Sequence, residues 1–317
     1  MTDLQNPIFH DDEKAREALE AVRWPNGPVC PHCGNCEPKT MPLVEGTKRS
    51  HRPGLRYCNA CKGQFTVTVG TVFERSKIPL SKWWLAMHLM GSSKKGISAH
   101  QLYRMLGFGS YRTAWFMAHR IREAMKDINA GPIGGEGKIV EADETYFGSK
   151  DTIKKRTKRG KSAHSSKRSV IALVERGGET RMFHVEKANA ETVRDVLVRN
   201  ARRDSELHTD ESRLYVETGK EFAGHHTTKH SGGEYVRYET GRVVHSNTVE
   251  SVFSVFKRGM HGTYQHCGEA HLHRYLTEFE FRYNRRTKLG WTDTQRVLAI
   301  AEGIEGKRLT YRRIGEA

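Results

Sequence analysis

No stretch of the 317 residues approaches the ~20 consecutive apolar side chains needed to cross a bilayer, which excludes a membrane-spanning helix. Residues Met1 to Glu20 are acidic and polar and lack the apolar core of a secretory signal. A cytoplasmic, reducing location is therefore expected, where cysteines rarely pair as disulfides. The chain is also short of negative charge. Its 53 Lys and Arg face 37 Asp and Glu, for a net charge of +16 and a pI near 9.6. Such an excess favours a polyanionic partner, because each neutralised phosphate releases condensed counterions. Hydrophobic content is 36% and charged content 28%, which is globular but polar. The length allows two or three domains.

Cysteine is scarce overall but concentrated. Five of the six fall between residues 30 and 61. They include Cys30-Pro31-His32-Cys33 and Cys58-Asn59-Ala60-Cys61, with residues 34–57 between the pairs. Two C-x-x-C knuckles at that separation supply four thiolates for one tetrahedral zinc ion. Gly34 and Gly63 follow the knuckles, where turns are needed, and short strands are expected on either side of the second. Cys36 and His32 are further candidates, but the symmetric set is Cys30, Cys33, Cys58 and Cys61. Four protein ligands leave no open position, so this zinc would be structural.

Residues 76–130 read as helical. Ser81 is the expected N-cap of a helix through Trp83, Trp84 and Met90. A second helix runs from Ala99 to Leu106, and Gly107-Phe108-Gly109 forms a turn. Ser110 caps a third helix, Tyr111 to Met125, carrying Arg112 and Arg120. Helix, glycine turn, helix is a helix-turn-helix-like layout, and Arg112 and Arg120 are DNA-binding candidates. The tryptophans read as packing residues.

After the glycine-rich segment Gly131 to Gly137, Lys138 to Gly148 reads as a strand with Asp143 near its middle. Alternation puts Glu141, Asp143 and Thr145 on one face, and an acidic face on a central strand is costly unless it binds metal or water. The basic stretch that follows, with Lys154, Lys155 and Arg156, reads as a loop that contacts DNA. A hairpin comes next, then a helix capped by Asn189, then a short strand ending in Asp210. A further helix starts near Asn247 and carries Glu250 and Lys257. Those two are seven residues apart, so they lie within ~20° on the helix surface, with Asn247 ~60° from Glu250. Two aspartates and a helix-borne acid match the oxygen ligands of two-metal phosphoryl transfer, with Lys257 placed for a phosphate. Asn247 and Glu250 fit a helix-capping box equally well.

These blocks resemble the insertion-sequence DDE-type transposases with an N-terminal zinc ribbon. The likeness runs over roughly residues 15 to 290. It is carried by Arg23-Trp24-Pro25, Gly70-Thr71-Val72-Phe73, Val140-Glu141-Ala142-Asp143-Glu144-Thr145-Tyr146, Thr209-Asp210, His245-Ser246-Asn247-Thr248-Val249-Glu250-Ser251 and the aromatic, basic block His271 to Arg286. The resemblance implies an α/β RNase H-like catalytic domain. It also implies Mg²⁺ as catalytic cofactor (two ions, with Mn²⁺ as a substitute) and cleavage at element ends followed by strand transfer into target DNA. Asp143 and Asp210 match the family's two aspartates. The third position stays open between Asn247 and Glu250.

The expected organisation is a multidomain chain: an N-terminal segment (1–20), a zinc ribbon (21–75), a helical DNA-binding segment (76–130), an RNase H-like domain (131–290) and a C-terminal tail (291–317). Expected partners are DNA, as element ends and target, and further copies of the chain as a homodimer or higher oligomer; the expected location is nucleoid-associated. Two other readings fit parts of the sequence: a zinc-ribbon DNA-binding regulator without catalysis, and an RNase H-like nuclease that cleaves without joining.

Overall fold

The computed structural model describes residues 4–44, 52–148 and 167–310. It divides into two compact units, one made of residues up to Asp127 together with those from Gly290 on, the other Ile128–Leu289.

The first unit opens with helix α1 (Asp12–Arg23), whose N-terminal N–H groups are met by the Asp11 carboxylate. A two-stranded antiparallel ribbon, β1 (Arg56–Tyr57) and β2 (Gln64–Phe65), flanks the second cysteine knuckle. Helices α2 (Leu80–Ser92), α3 (Ala99–Met105) and α4 (Tyr111–Met125) follow. Ser98 and Ser110 cap α3 and α4 through side-chain bonds to Gln101 N and Arg112 N. Ser81, the expected cap of α2, lies inside that helix instead. Its N–H and hydroxyl both donate to Asp12 Oδ1, at 3.0 and 2.6 Å, so a carboxylate from α1 satisfies this helix end. Trp83 and Trp84 are buried, as their spacing suggested.

The segment beyond residue 291, expected as a tail, instead carries a helix, α9 (Asp293–Glu302), packed on α1, α2 and α4. It opens with a true capping box between Thr292 and Gln295. Gly91 of α2 permits the approach, since a methyl group there would meet Ile300 Cδ1 at 3.3 Å.

The second unit is a five-stranded mixed sheet covered on both faces. Its strands are β3 (Ile139–Phe147), β4 (Arg168–Glu175), β5 (Thr180–Val185), β6 (Glu206–Asp210) and β7 (Gly224–Thr228), in the spatial order β5-β4-β3-β6-β7. Pairing is antiparallel from β3 through β5 and parallel from β3 through β7. Helix α5 (Ala190–Asn200) connects β5 to β6, and a single turn, α6 (Val216–Gly219), precedes β7. A small hairpin, β8 (Arg237–Glu239) with β9 (Arg242–Val244), leads into α7 (Asn247–Gly259) and α8 (Leu272–Asn284).

Alternation along β4 explains the layering. Val170, Ala172 and Val174 face α7 and α8, while Ile171 and Leu173 face α5. A strand buried on both sides must be apolar at every position, and the core of β4 is. The glycines expected as a linker are partly built into this unit. Gly134 has φ +90 and donates to Glu175 Oε2, and a Cβ there would lie 2.2 Å from Ser205 Oγ. The backbone here runs against the sheet too closely for any side chain.

Candidate active site

Two of the predicted carboxylates lie level on neighbouring central strands. β3 and β6 are neighbours, and their parallel register is paired from Ile139 opposite Glu206 to Glu141 opposite His208. Carried on two residues, the same register sets Asp210 level with Asp143. Asp143 lies on the face of β3 that looks toward α7, which carries Glu250 in its first turn. The Asp143 carboxyl is pushed up to about 8, first by burial, then by the charges of Glu144, Asp210 and Glu250. Two strands and one helix thus deliver four acids into a common field. Among the described residues these acids do not converge as tightly as the zinc ligands below.

Glu144 is the member that alternation disguised. Adjacent to Asp143, it points to the opposite face of β3, where the buried Tyr215 hydroxyl donates to its Oε2 at 2.7 Å. Burial raises its carboxyl, helped by Asp210 and opposed by that hydrogen bond.

Glu141 has a different task from the one its position suggested. It is fully buried and caps α7: Oε2 accepts from Thr248 N at 2.8 Å and Val249 N at 3.0 Å, and Oε1 from the Thr248 hydroxyl at 2.8 Å. Arg176 Nε donates to Oε1 at 2.9 Å, and the same guanidinium reaches the carbonyls of Val243 and His245. The capping box suggested for Asn247 and Glu250 is absent, because Ser246 is the N-cap residue and an acid from the sheet occupies the helix end. Asn247 is exposed, and its N–H donates to His245 Nδ1. Glu250 is free to face outward, where Ser246 Oγ lies at 3.4 Å and His230 Nδ1 at 3.5 Å from Oε1. Lys257 is exposed two turns further along α7. In α8, Tyr275 and Phe279 belong to the core and Arg282 is buried against Glu278, which makes this helix a packing element.

Oxygen donors on rigid elements suit Mg²⁺, which takes one or two protein carboxylates and completes its shell with water and phosphate oxygens. A divalent cation would also supply the positive charge that Asp143, Glu144, Asp210 and Glu250 lack.

In the first unit, the ligand atoms of Cys30, Cys33, Cys58 and Cys61 all lie within 4.8 Å of one another. Cys30 Sγ is 3.7 Å from Cys61 Sγ, and Cys33 Sγ is 3.7 Å from Cys58 Sγ. A tetrahedron with Zn–S bonds of about 2.3 Å has S···S edges of about 3.75 Å, so the four thiols fit zinc. Without an ion the thiols compete: the backbone N–H of Cys61 does most to hold the Cys58 thiol down to about 6, while Cys33, despite the Asn35 N–H, is pushed up to about 12 by burial and its neighbouring thiols. Cys36 lies outside the set, and His32 Nε2 contacts Gln64 O at 3.3 Å.

Residues 134–284 match the family model of the ISXO2-like transposase domain, and residues 10–64 match the transposase zinc-ribbon domain. The chain belongs to the insertion-sequence transposases that combine these two domains. It is also 28% identical over 311 residues to an "Uncharacterized protein in transposable element ISH50" of Halobacterium salinarum, covering 92% of this chain and 98% of the relative. No described helix is long and apolar enough to cross a membrane.

Of the transposase's expected DNA contacts, Arg112 is exposed in the first turn of α4. Arg120 is half-buried, with its guanidinium 4.8 Å above the Phe116 ring. Lys154, Lys155 and Arg156 lie outside the described residues.

Proposed function

We propose that the protein is a DNA transposase that cleaves at the ends of its insertion sequence and transfers the freed strand into target DNA. The supporting observation is the register that sets Asp210 of β6 level with Asp143 of β3, with Glu250 in the first turn of the covering helix, all inside the segment that matches the transposase domain. The strand order β5-β4-β3-β6-β7, with acids on the two central parallel neighbours and a third on a covering helix, supports an RNase H-like catalytic unit. Asp143, Asp210 and Glu250 would hold Mg²⁺. Glu250 enters this set as the acid in the first turn of the helix over this face, and Asn247 stays the other third position.

Bound Mg²⁺ supplies charge neutralisation at the phosphoryl oxygens and acidifies a water or 3′-hydroxyl. The chain's own residues do the rest. Asp143 and Asp210 orient the scissile phosphodiester between two rigid strands. Tyr215 holds Glu144 in one rotamer, which keeps its charge fixed beside the aspartates. Lys257 meets a flanking phosphate from the exposed side of α7. Cleavage and joining are both phosphoryl transfers, so one site serves both. The zinc ribbon and the α3–α4 pair recognise DNA, and two ends require a homodimer or larger assembly.

The test is strand transfer by the purified chain with Mg²⁺ and DNA ends from the gene's own flanks, beside Asp143→Asn and Asp210→Asn. Joined product lost by at least 10³-fold in both variants is the expected result, on the scale of removing one catalytic group. Cleavage without joining would make the protein a nuclease. End binding with no metal-dependent product in any of the three proteins would leave a regulator.

A further inference from the structure

The first unit contains a cavity of about 350 Å³ between the loop before α2 and the N-terminal half of α4. Its lining divides by chemistry. Arg75, Lys77, Arg112 and Arg120 supply four cations, and the lining itself carries no carboxylate among the described residues, although Glu74 outside it pairs with Arg75 Nε at 3.7 Å. Phe116, half-buried, supplies an aromatic side, and Trp83 backs the cavity from the core, itself 1% exposed. Three further features shape it. Arg120 lies over one face of Phe116 and donates to Glu74 O at 3.3 Å, which fixes the ring and leaves Arg120 Nε buried without a partner. Trp83 is held from behind by Phe73, with ring centroids 4.8 Å apart, and by its indole N–H on Ser76 Oγ. Arg75 has φ +58, and its side chain is 79% exposed at the rim.

A phosphate lying on a protein surface needs cations but no aromatic-walled cavity. A free base needs the cavity but not four cations. Both together match one nucleotide removed from its stack, with the base against the aromatic side and the phosphate on the cations. The volume is at the lower end of small-ligand sites, which suits a single nucleotide. We infer that this cavity binds one unstacked nucleotide of the DNA that the transposase handles. The inference rests on the proposed function only in requiring DNA as the partner. It would make the first unit a reader of distorted or unpaired DNA as well as of duplex.

The test uses the full zinc-loaded chain and two 20-base-pair duplexes, one fully paired and one with a single unpaired 5-iododeoxyuridine at its centre. The bulged duplex is expected to bind roughly 10-fold tighter, within the range that base–aromatic stacking supplies. Irradiation should attach the iodinated base to a peptide containing Phe116. Phe116→Leu should abolish the preference, read as the ratio of the two affinities. Thr113→Trp, which fills the cavity without removing charge, should do the same, so a folding defect in one variant does not decide the matter. Arg112→Gln should weaken both duplexes and lower the salt slope by about 1. Equal affinity for the two duplexes, or attachment elsewhere, overturns the inference; if that protein still joins DNA ends, the transposase reading survives alone. Failure to bind either duplex overturns both.

Discussion

Asp143 carries the largest electrostatic cost at the candidate site. Its folded-state carboxyl titrates near 8 in the metal-free protein, against about 3.9 in an unfolded chain. The folded state therefore holds this proton more tightly than the unfolded state does. The resulting stability is full below about pH 3.9 and is lost as pH rises through about 8. Metal-free wild type should accordingly be less stable at pH 9 than Asp143→Asn, by on the order of a few kcal/mol. Adding Mg²⁺ at pH 9 should raise the melting temperature of wild type and leave the variant unmoved. Thermal melts across pH 4 to 9 check this, and a variant that melts with the wild type at pH 9 contradicts it. Asp143 was legible in the sequence because acids are rare inside apolar strands. Glu144 was not, since alternation assigned it to the other face, and only the fold brings Tyr215 beneath it and Asp210 beside it.

At the scale of elements, one carboxylate links the two parts that carry the candidate metal ligands. Glu141 sits two residues before Asp143 on β3 and caps α7 three residues before Glu250. Helix N-termini carry partial positive charge and unsatisfied N–H groups, so an acid there is favourable even when buried. Replacing Glu141 with Ala strands Thr248 N, Val249 N and the Arg176 guanidinium. A loss of about 3 kcal/mol is expected, in the range for breaking a buried charge pair. Urea unfolding should show a lower midpoint at unchanged slope. A loss below about 1 kcal/mol would mean that water replaces the carboxylate at no great cost. Sequence reading located α3, α4, β5, α5 and α7 because their caps and periodicities are local. It misplaced the caps of α2 and α7, whose acceptors, Asp12 and Glu141, come from 69 and 107 residues away along the chain. Long-range capping leaves no trace in local spacing.

For the molecule as a whole, metal is expected to matter unequally. In the ribbon Trp24 packs edge-on against Phe65 and the Arg23 guanidinium binds the carbonyls of Val67 and Val69, around four thiols that zinc would hold. The sheet unit has apolar clusters on both faces. Chelation should release one Zn²⁺ per chain and expose residues 25–65 to protease, while the sheet unit keeps its cooperative transition. Zinc release counted by a colorimetric chelator, with proteolytic fragments mapped by mass, measures both. Release with no change in cleavage would show that the ribbon holds its shape without metal.

The sequence by itself determined the zinc knuckles, the basic character, the order of α2 to α4 and of β3 to β6, and Asp143 and Asp210 as candidate ligands. Each of these is written in local spacing, alternation or composition. Only the tertiary structure decided what the remaining charges do. It turned Glu141 into a helix cap, set Glu144 against Tyr215 on the opposite face from Asp143, placed Glu250 in the first turn of the helix over the Asp143 face, and buried Arg282 against Glu278. It also folded α9 back onto α2. A charge acts through distance and burial, and neither is a property of position along the chain.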